Sequence, residues 1–325
     1  MKIAFHIDNL SFRGTTTAVW DYAFYNQTIL GNESVIIFDS KIKNSLQDEN
    51  FVRKGDVLKR YNIFQNLEYE GLNDLENKLN KNKCDYIYFL KAGFDDGYNI
   101  SGTKSLIHSV FNYCQPHGHK YAYVSKWLSN EASGGMFDYV PHVVSMPELE
   151  KNNYREKLGI PEGKIVIGRY GGFDQFDIDF VKSMVNFISD FDDNFYFVFV
   201  NTRDFVNRSH PRIKFLESIV DPQEKTDFIK SCDAMIHARS DGESFGLSIC
   251  EFLFHGKPTI SFGGGRDKHN VEMLSNYDLI YNNHYELLEK FFKLKHNMFK
   301  SCYSCLVKEF SPINVMNKFN SVFLG

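Results

Sequence analysis

Asp241-Gly242-Glu243-Ser244-Phe245-Gly246-Leu247-Ser248-Ile249-Cys250-Glu251 follows a short apolar run over residues 234–238, and seven residues separate its two glutamates. A strand that enters a Gly-containing turn and then a helix leaves the first helical amides without intrahelical acceptors, which makes a seat for phosphate. Glu243 precedes the helix and Glu251 lies about two turns into it. Carboxylates accept well from vicinal hydroxyls. The stretch therefore predicts amides for a diphosphate, Glu251 for a ribose and Glu243 for a transferred sugar. Read alone, it fits equally well a capped amphipathic helix with a solvated glutamate at each end. The rest of the chain has to decide.

With 325 residues and 43% apolar content, the chain has material for two cores, and single cores usually stop growing below this length. A formal net charge of -4, with basic residues scattered along the sequence, offers no electrostatic footprint for nucleic acid. Of the six cysteines only Cys302 and Cys305 are spaced as CxxC. With no second CxxC or His pair, that spacing reads as a helix coincidence and not as a metal site. Unpaired thiols suit a reducing cytosol, so a cytoplasmic location is expected. The first residues enter a strand directly, without a signal-peptide pattern, and no run of eighteen apolar residues occurs. A transmembrane segment is not expected, while peripheral membrane contact stays open.

Short apolar runs alternate with helical patterns, the signature of parallel sheets with crossover helices. In the first half, strands are predicted over residues 2–8, 34–38, 57–61, 85–90, 105–110 and 121–125, with helices over 16–30 and 72–80. A Pro-bracketed extended stretch over 140–147 reads as an interdomain connection and hinge. The second half repeats the pattern with strands over 165–170, 195–200, 213–216, 234–238 and 259–262. Its helices are predicted over 178–189, 223–231 and 245–255, and Ser311 and Pro312 open a last helix. The expected fold class is α/β, with two Rossmann-like domains facing across a cleft. Domain 1 spans 1–144 and domain 2 spans 145–325, the last helix packing back on the first. Neither half has GxGxxG after its first strand or a GxxxxGK[ST] loop, which argues against a dinucleotide oxidoreductase and a P-loop enzyme.

The ordered series in the second half resembles the GT-B glycosyltransferases. Within them it resembles the retaining Glu-x7-Glu family, glycosyltransferase family 4-like, group 1. Gly168-Arg169 resembles the family's Gly-Arg at the end of the domain's first strand. The segment from Asp233 to Ser240 resembles its approach to the motif, Glu243-Ser244-Phe245-Gly246-Leu247 and Glu251 match the motif itself, and Gly256-Lys257-Pro258-Thr259-Ile260 resembles the strand that follows. The resemblance implies a metal-independent, cofactor-free transfer of a sugar, with retention, from a nucleotide-diphosphate sugar to a saccharide or glycan acceptor. It implies catalytic roles for Glu243 and Arg169. Donor contacts fall to Glu251, Ser244, Phe245, Gly246, Leu247, Arg239 and Gly172.

Departures from the family pattern matter too. A Lys about five residues after the Arg is replaced by Gly171-Gly172-Phe173-Asp174-Gln175, and Lys182 or Arg239 is the expected substitute. The Gly263-Gly264-Gly265 loop reads either as a backbone approach to the donor or as a flexible turn. In the first half the family's Gly-Gly loop is reduced to Gly14 followed by Thr15, and its His-Asp falls on Phe111-Asn112. Gly14, Thr15, His108 and His117 are therefore the acceptor-side candidates. Val124-Ser125-Lys126-Trp127-Leu128 matches a family segment with a packing role. The donor base is expected near residues 201–205 and 219–221. Two other readings use the same architecture: a nucleotide-sugar epimerase or hydrolase, and a non-catalytic sugar-nucleotide-binding protein.

Overall fold

Continuous apolar runs of four to seven residues, buried on both faces, can only be central strands of a covered parallel sheet. In the computed structural model, which describes residues 1–9, 14–43, 59–98, 100–148, 154–299 and 301–325, two such sheets form. One unit comprises Met1–Val143 with Glu309–Gly325, and the other Val144–Lys308.

The first unit holds β1 (Lys2–Ile7), β2 (Glu33–Asp39), β3 (Gln65–Tyr69), β4 (Tyr86–Lys91), β5 (Lys104–Ser109) and β6 (Lys120–Tyr123). They pair in parallel in the order β3-β2-β1-β4-β5-β6. That is the Rossmann order, which reverses between β1 and β4. The closing helix Pro312–Phe319 belongs to this unit. Its Phe319 packs 5.5 Å from both Tyr22 and Tyr88, and Phe323 packs 5.3 Å from His108. Ser125 accepts from Leu128 N at 3.1 Å, so the Val124 to Leu128 segment is the N-cap of the helix Lys126–Ser133.

In the second unit β7 (Ile165–Tyr170), β8 (Phe195–Val200), β9 (Ile213–Leu216), β10 (Ala234–His237), β12 (Thr259–Phe262) and β14 (Ile280–Tyr281) pair in parallel in the order β14-β12-β10-β7-β8-β9. Counted from β7, this is the same Rossmann order, with its reversal between β7 and β10. A separate pair, β11 (Gly242–Glu243) with β13 (Asp267–Lys268), stands outside the sheet. Alternate phenylalanines of β8, Phe195, Phe197 and Phe199, share one face and pack into the core with Phe291 and Phe205. Among the described residues no helix is long and apolar enough to cross a membrane.

One predicted strand is wrong. Of residues 57–61, the first two lie outside the described residues, Lys59 and Arg60 are helical, and Tyr61 opens the turn Tyr61–Ile63. Tyr61 is buried because its hydroxyl donates to Thr16 O at 2.6 Å, an anchor that mimics a strand's apolar signal. The third strand is β3, an edge strand with two exposed residues, which gives no continuous apolar run. The two-residue β14 and the helix His284–Lys295, capped by Asn283, carry no prediction from the sequence either.

Gly168 on β7 lets two helices close over the sheet. A Cβ there would lie 2.4 Å from Cys232 Sγ and about 3.1 Å from the Phe228 ring. Gly168→Ala should lower stability by about 1–3 kcal/mol, as overpacking does. Urea unfolding measures this, and an unchanged midpoint would show that the helices can retreat without cost.

Candidate functional site in the second unit

In open parallel sheets ligands bind beyond the carboxyl ends of the strands, where the strand order reverses. In the second unit that point lies between β7 and β10. Arg169 is next to last on β7, His237 ends β10, and Arg239 and Glu243 follow it.

Glu243 is the centre of a short network. Its Oε1 lies 3.0 Å from His237 Nε2 and its Oε2 accepts from Arg239 Nη1 at 3.2 Å. Behind it, His237 Nδ1 meets Ser261 Oγ at 2.9 Å, and Asn270 Nδ2 donates to the same hydroxyl at 2.9 Å. Burial acts to raise the Glu243 carboxyl, but the hydrogen bond from His237, together with the charge and hydrogen bond of Arg239, outweighs it and holds the group below the ordinary carboxylate range.

The turn that presents Glu243 is set by glycines with left-handed backbone. Gly242 has φ +69°, and a Cβ there would sit 1.9 Å from Asp267 O. Gly265 packs against Gly242, with a would-be Cβ 2.5 Å from its Cα. The glycine loop after β12 is thus used for approach to the motif's own turn. Gly246, at φ +81°, caps the helix Leu247–Phe254, and Phe245 is buried with its ring stacked 5.4 Å from His269. Ser244 and Leu247 are half-buried beside them.

Arg169 is buried and turned inward. Its Nη1 donates to Asn201 O at 3.0 Å and to Thr202 Oγ1 at 2.6 Å, and its Nη2 donates to Gly172 O at 2.7 Å. Burial lowers its pKa to about 10, against an opposing pull from Glu243. It therefore ties together the loops that follow β7 and β8. Asn201 Nδ2 reinforces the tie by donating to Gly171 O at 2.8 Å. Asp177 joins the β10 loop to the same assembly, accepting from Ser240 N at 2.8 Å and from its hydroxyl at 2.5 Å. Beside these loops lies a cavity of about 250 Å³ lined by Phe173, Asp174, Phe176, Asp177, Arg203 and Phe205 among others. It overlaps the 201–205 segment expected near the base.

Glu251 is also buried, and Lys225 forms an ion pair with it while lying 5.5 Å over the Tyr170 ring. Tyr170 OH in turn donates to Ile219 O at 3.3 Å. Of the expected substitutes for the family Lys, Lys182 pairs with Asp179 at 3.0 Å and lines the cavity beside Asp177. Arg239 stays with Glu243, its Nε buried and without a hydrogen-bond partner. Neither His237, Ser261 and Asn270 nor Lys225 stood out in the sequence. They come from separate strands and helices, and only the fold brings them to the glutamates.

On the first unit, Gly14 is the exposed first residue of the helix Gly14–Thr28, with Thr15 half-buried behind it; residues 10–13 of the preceding loop lie outside the described residues. His108 is corrected. It is fully buried, its Nδ1 2.7 Å from Tyr88 OH and its Nε2 3.1 Å from Tyr123 O, and burial lowers its pKa to about 4. It is a neutral core histidine that offers no surface to an acceptor. His117 is half-buried, with Nδ1 2.7 Å from Gln115 O and the exposed Asp95 and Asp96 alongside. Asp96 is already paired with Lys91. All six cysteines are free of disulfides; Cys302 and Cys305 are exposed in and beside the turn Tyr303–Phe310, and Cys250 is buried elsewhere.

No family model matches the sequence, and no curated protein does. Solved structures do match over nearly the whole chain. Anabaena HepE in complex with UDP-glucose is similar at TM-score 0.69 and 12% identity, covering 99% of this chain and 100% of its own. AviGT4, a glycosyltransferase involved in avilamycin A biosynthesis, is similar at TM-score 0.69 and 10% identity, covering 100% and 97%. A Listeria monocytogenes protein assigned as a UDP-N-acetylglucosamine 2-epimerase is similar at TM-score 0.59 and 11% identity, covering 98% and 94%. At such identities the likeness establishes the fold, which is that of the GT-B glycosyltransferases.

The Glu243 network gives a signed pH effect. A carboxyl with a depressed pKa stabilises the fold fully above its ordinary value of 4.5, and the contribution is lost as pH falls through the lowered pKa. Glu243→Gln should therefore cost about 1–3 kcal/mol at neutral pH. Thermal unfolding across pH should show the gap to wild type closing below 4.5. A gap independent of pH would mean that the carboxylate charge does not matter.

Proposed function

We propose that this chain transfers a sugar, with retention and without a metal, from a nucleotide-diphosphate sugar to a saccharide or glycan acceptor. The observation that carries the reading is the convergence of Arg169, His237, Arg239 and Glu243 at the strand-order reversal, directly before a helix N-terminus. As the glycosidic bond breaks, negative charge develops on the departing diphosphate. The unpaired amides at the start of Leu247–Phe254 and the nearby guanidinium groups of Arg169 and Arg239 are the groups suited to stabilise it. Arg239 then takes the part of the family's missing Lys. Arg169, already bonded to three loop oxygens, contributes its charge and holds Gly172 in place.

Glu243 accepts from hydroxyls of the transferred sugar and Glu251 from the ribose, sharing it with Lys225. Neither has to act as a nucleophile, since a leaving group and an acceptor on the same face of the sugar suffice for retention. UDP-glucose in the HepE complex supports a nucleotide-sugar donor by similarity of fold. The acceptor falls to the first unit, with Gly14, Thr15 and His117 as the candidates left there.

The epimerase neighbour favours one second reading, in which a nucleotide sugar is converted without an acceptor. Product analysis separates the two. Incubation with UDP-, GDP- and ADP-sugars should release a nucleoside diphosphate, with the sugar joined to an added glycan, while an epimerised or freed sugar without glycan product would favour the second reading. Glu243→Ala should stay folded and lose about 10²–10³-fold in nucleotide release. Release at the wild-type rate would remove Glu243 from the mechanism.

A further inference from the structure

His237 and Ser261 are direct neighbours in the β10–β12 register, so their side chains lie on one face, and both are buried. The hydrogen bonds around them fix where the protons sit. An ionised carboxylate only accepts, so the 3.0 Å contact to Glu243 Oε1 requires a proton on His237 Nε2. Ser261 receives Asn270 Nδ2 at 2.9 Å and has one hydroxyl proton to give. An amide nitrogen cannot take it, whereas His237 Nδ1 stands 2.9 Å away. Turning the Asn270 amide over would set its oxygen against Phe262 O, which now accepts from Nδ2 at 3.2 Å, and would bury an NH2 at the site where Oδ1 has no donor.

We propose that His237 is a positioning residue for Glu243: Asn270 and Ser261 hold it as the neutral Nε2–H tautomer, and that N–H fixes the carboxylate that meets the transferred sugar. His237 itself touches no substrate. Its N–H occupies one lone pair of Oε1, as Arg239 occupies one of Oε2, and the remaining lone pairs stay directed at sugar hydroxyls. The consequence for turnover rests on the sugar-transfer reading, while the tautomer does not.

Two measurements separate them. Imidazole ¹⁵N spectra of the full chain at neutral pH, assigned against His237→Gln, should show His237 as the Nε2–H tautomer in wild type and a loss of that single tautomer in Ser261→Ala. A wild-type Nδ1–H tautomer or a doubly protonated ring overturns the proposal. In nucleotide release, His237→Gln keeps a donor near the Nε2 position and His237→Asn keeps one near Nδ1. The Gln variant should stay within about threefold of wild-type kcat, and the Asn variant should lose about 10–100-fold in kcat with little change in donor KM. Equal losses in both, or a loss confined to KM, would reduce His237 to packing and overturn the proposal. If wild type releases nucleotide from none of the sugars, the transfer reading fails, and the spectra still decide the tautomer.

Discussion

The half-buried carboxylate of Glu243 is the constraint on which the second unit's functional end depends. A charge removed from water is costly unless it is paired and hydrogen-bonded on each oxygen. Here His237 meets one oxygen and Arg239 the other. Satisfying that demand dictates the neighbourhood: a glycine turn tight enough to bring residue 243 back over β10, a glycine loop after β12 that can pack against it, and a serine and an asparagine to orient the histidine. Glu251 meets the same demand with Lys225. Both motif glutamates are thus oriented by cations or donors from other elements.

The sheet topology explains why these groups meet where they do. Both units use the same strand order, and its reversal opens a space at the carboxyl ends of the two central strands. Chemistry-bearing residues of the second unit lie at that end. The opposite end of the sheet carries fastening: Asp233, at the start of β10, accepts from Val166 N at 2.7 Å and from Arg155 at 2.8 Å. Asp233 belonged to the sequence series leading to the motif, and its place in the fold makes it a staple between strands. Arg169 stands between these roles, a charge close to Glu243 whose hydrogen bonds hold the loops of β7 and β8 together.

What could be read from the sequence was what is contiguous in it. The motif from Asp241 to Glu251, Gly168-Arg169 on β7 and the apolar runs of the central strands each carry their signal within a few residues. The partners did not, because Ser261, Asn270, His237 and Lys225 look like an ordinary strand or helix position until the sheet aligns them. His108 misled for the same reason: a lone histidine reads as polar chemistry, whereas Tyr88 and Tyr123 supply both of its hydrogen bonds inside the core. β3 escaped notice because an edge strand half-open to solvent lacks the continuous apolar run of the inner ones.

The central claim is that the strand-order reversal of the second unit binds the diphosphate of a nucleotide sugar. Amide hydrogen exchange with and without UDP, GDP and ADP tests it most directly. At least one nucleotide should slow exchange together in residues 169–175 and 239–251, with the rest of that sheet unchanged. Exchange that no nucleotide alters, or protection confined to other segments, would contradict it.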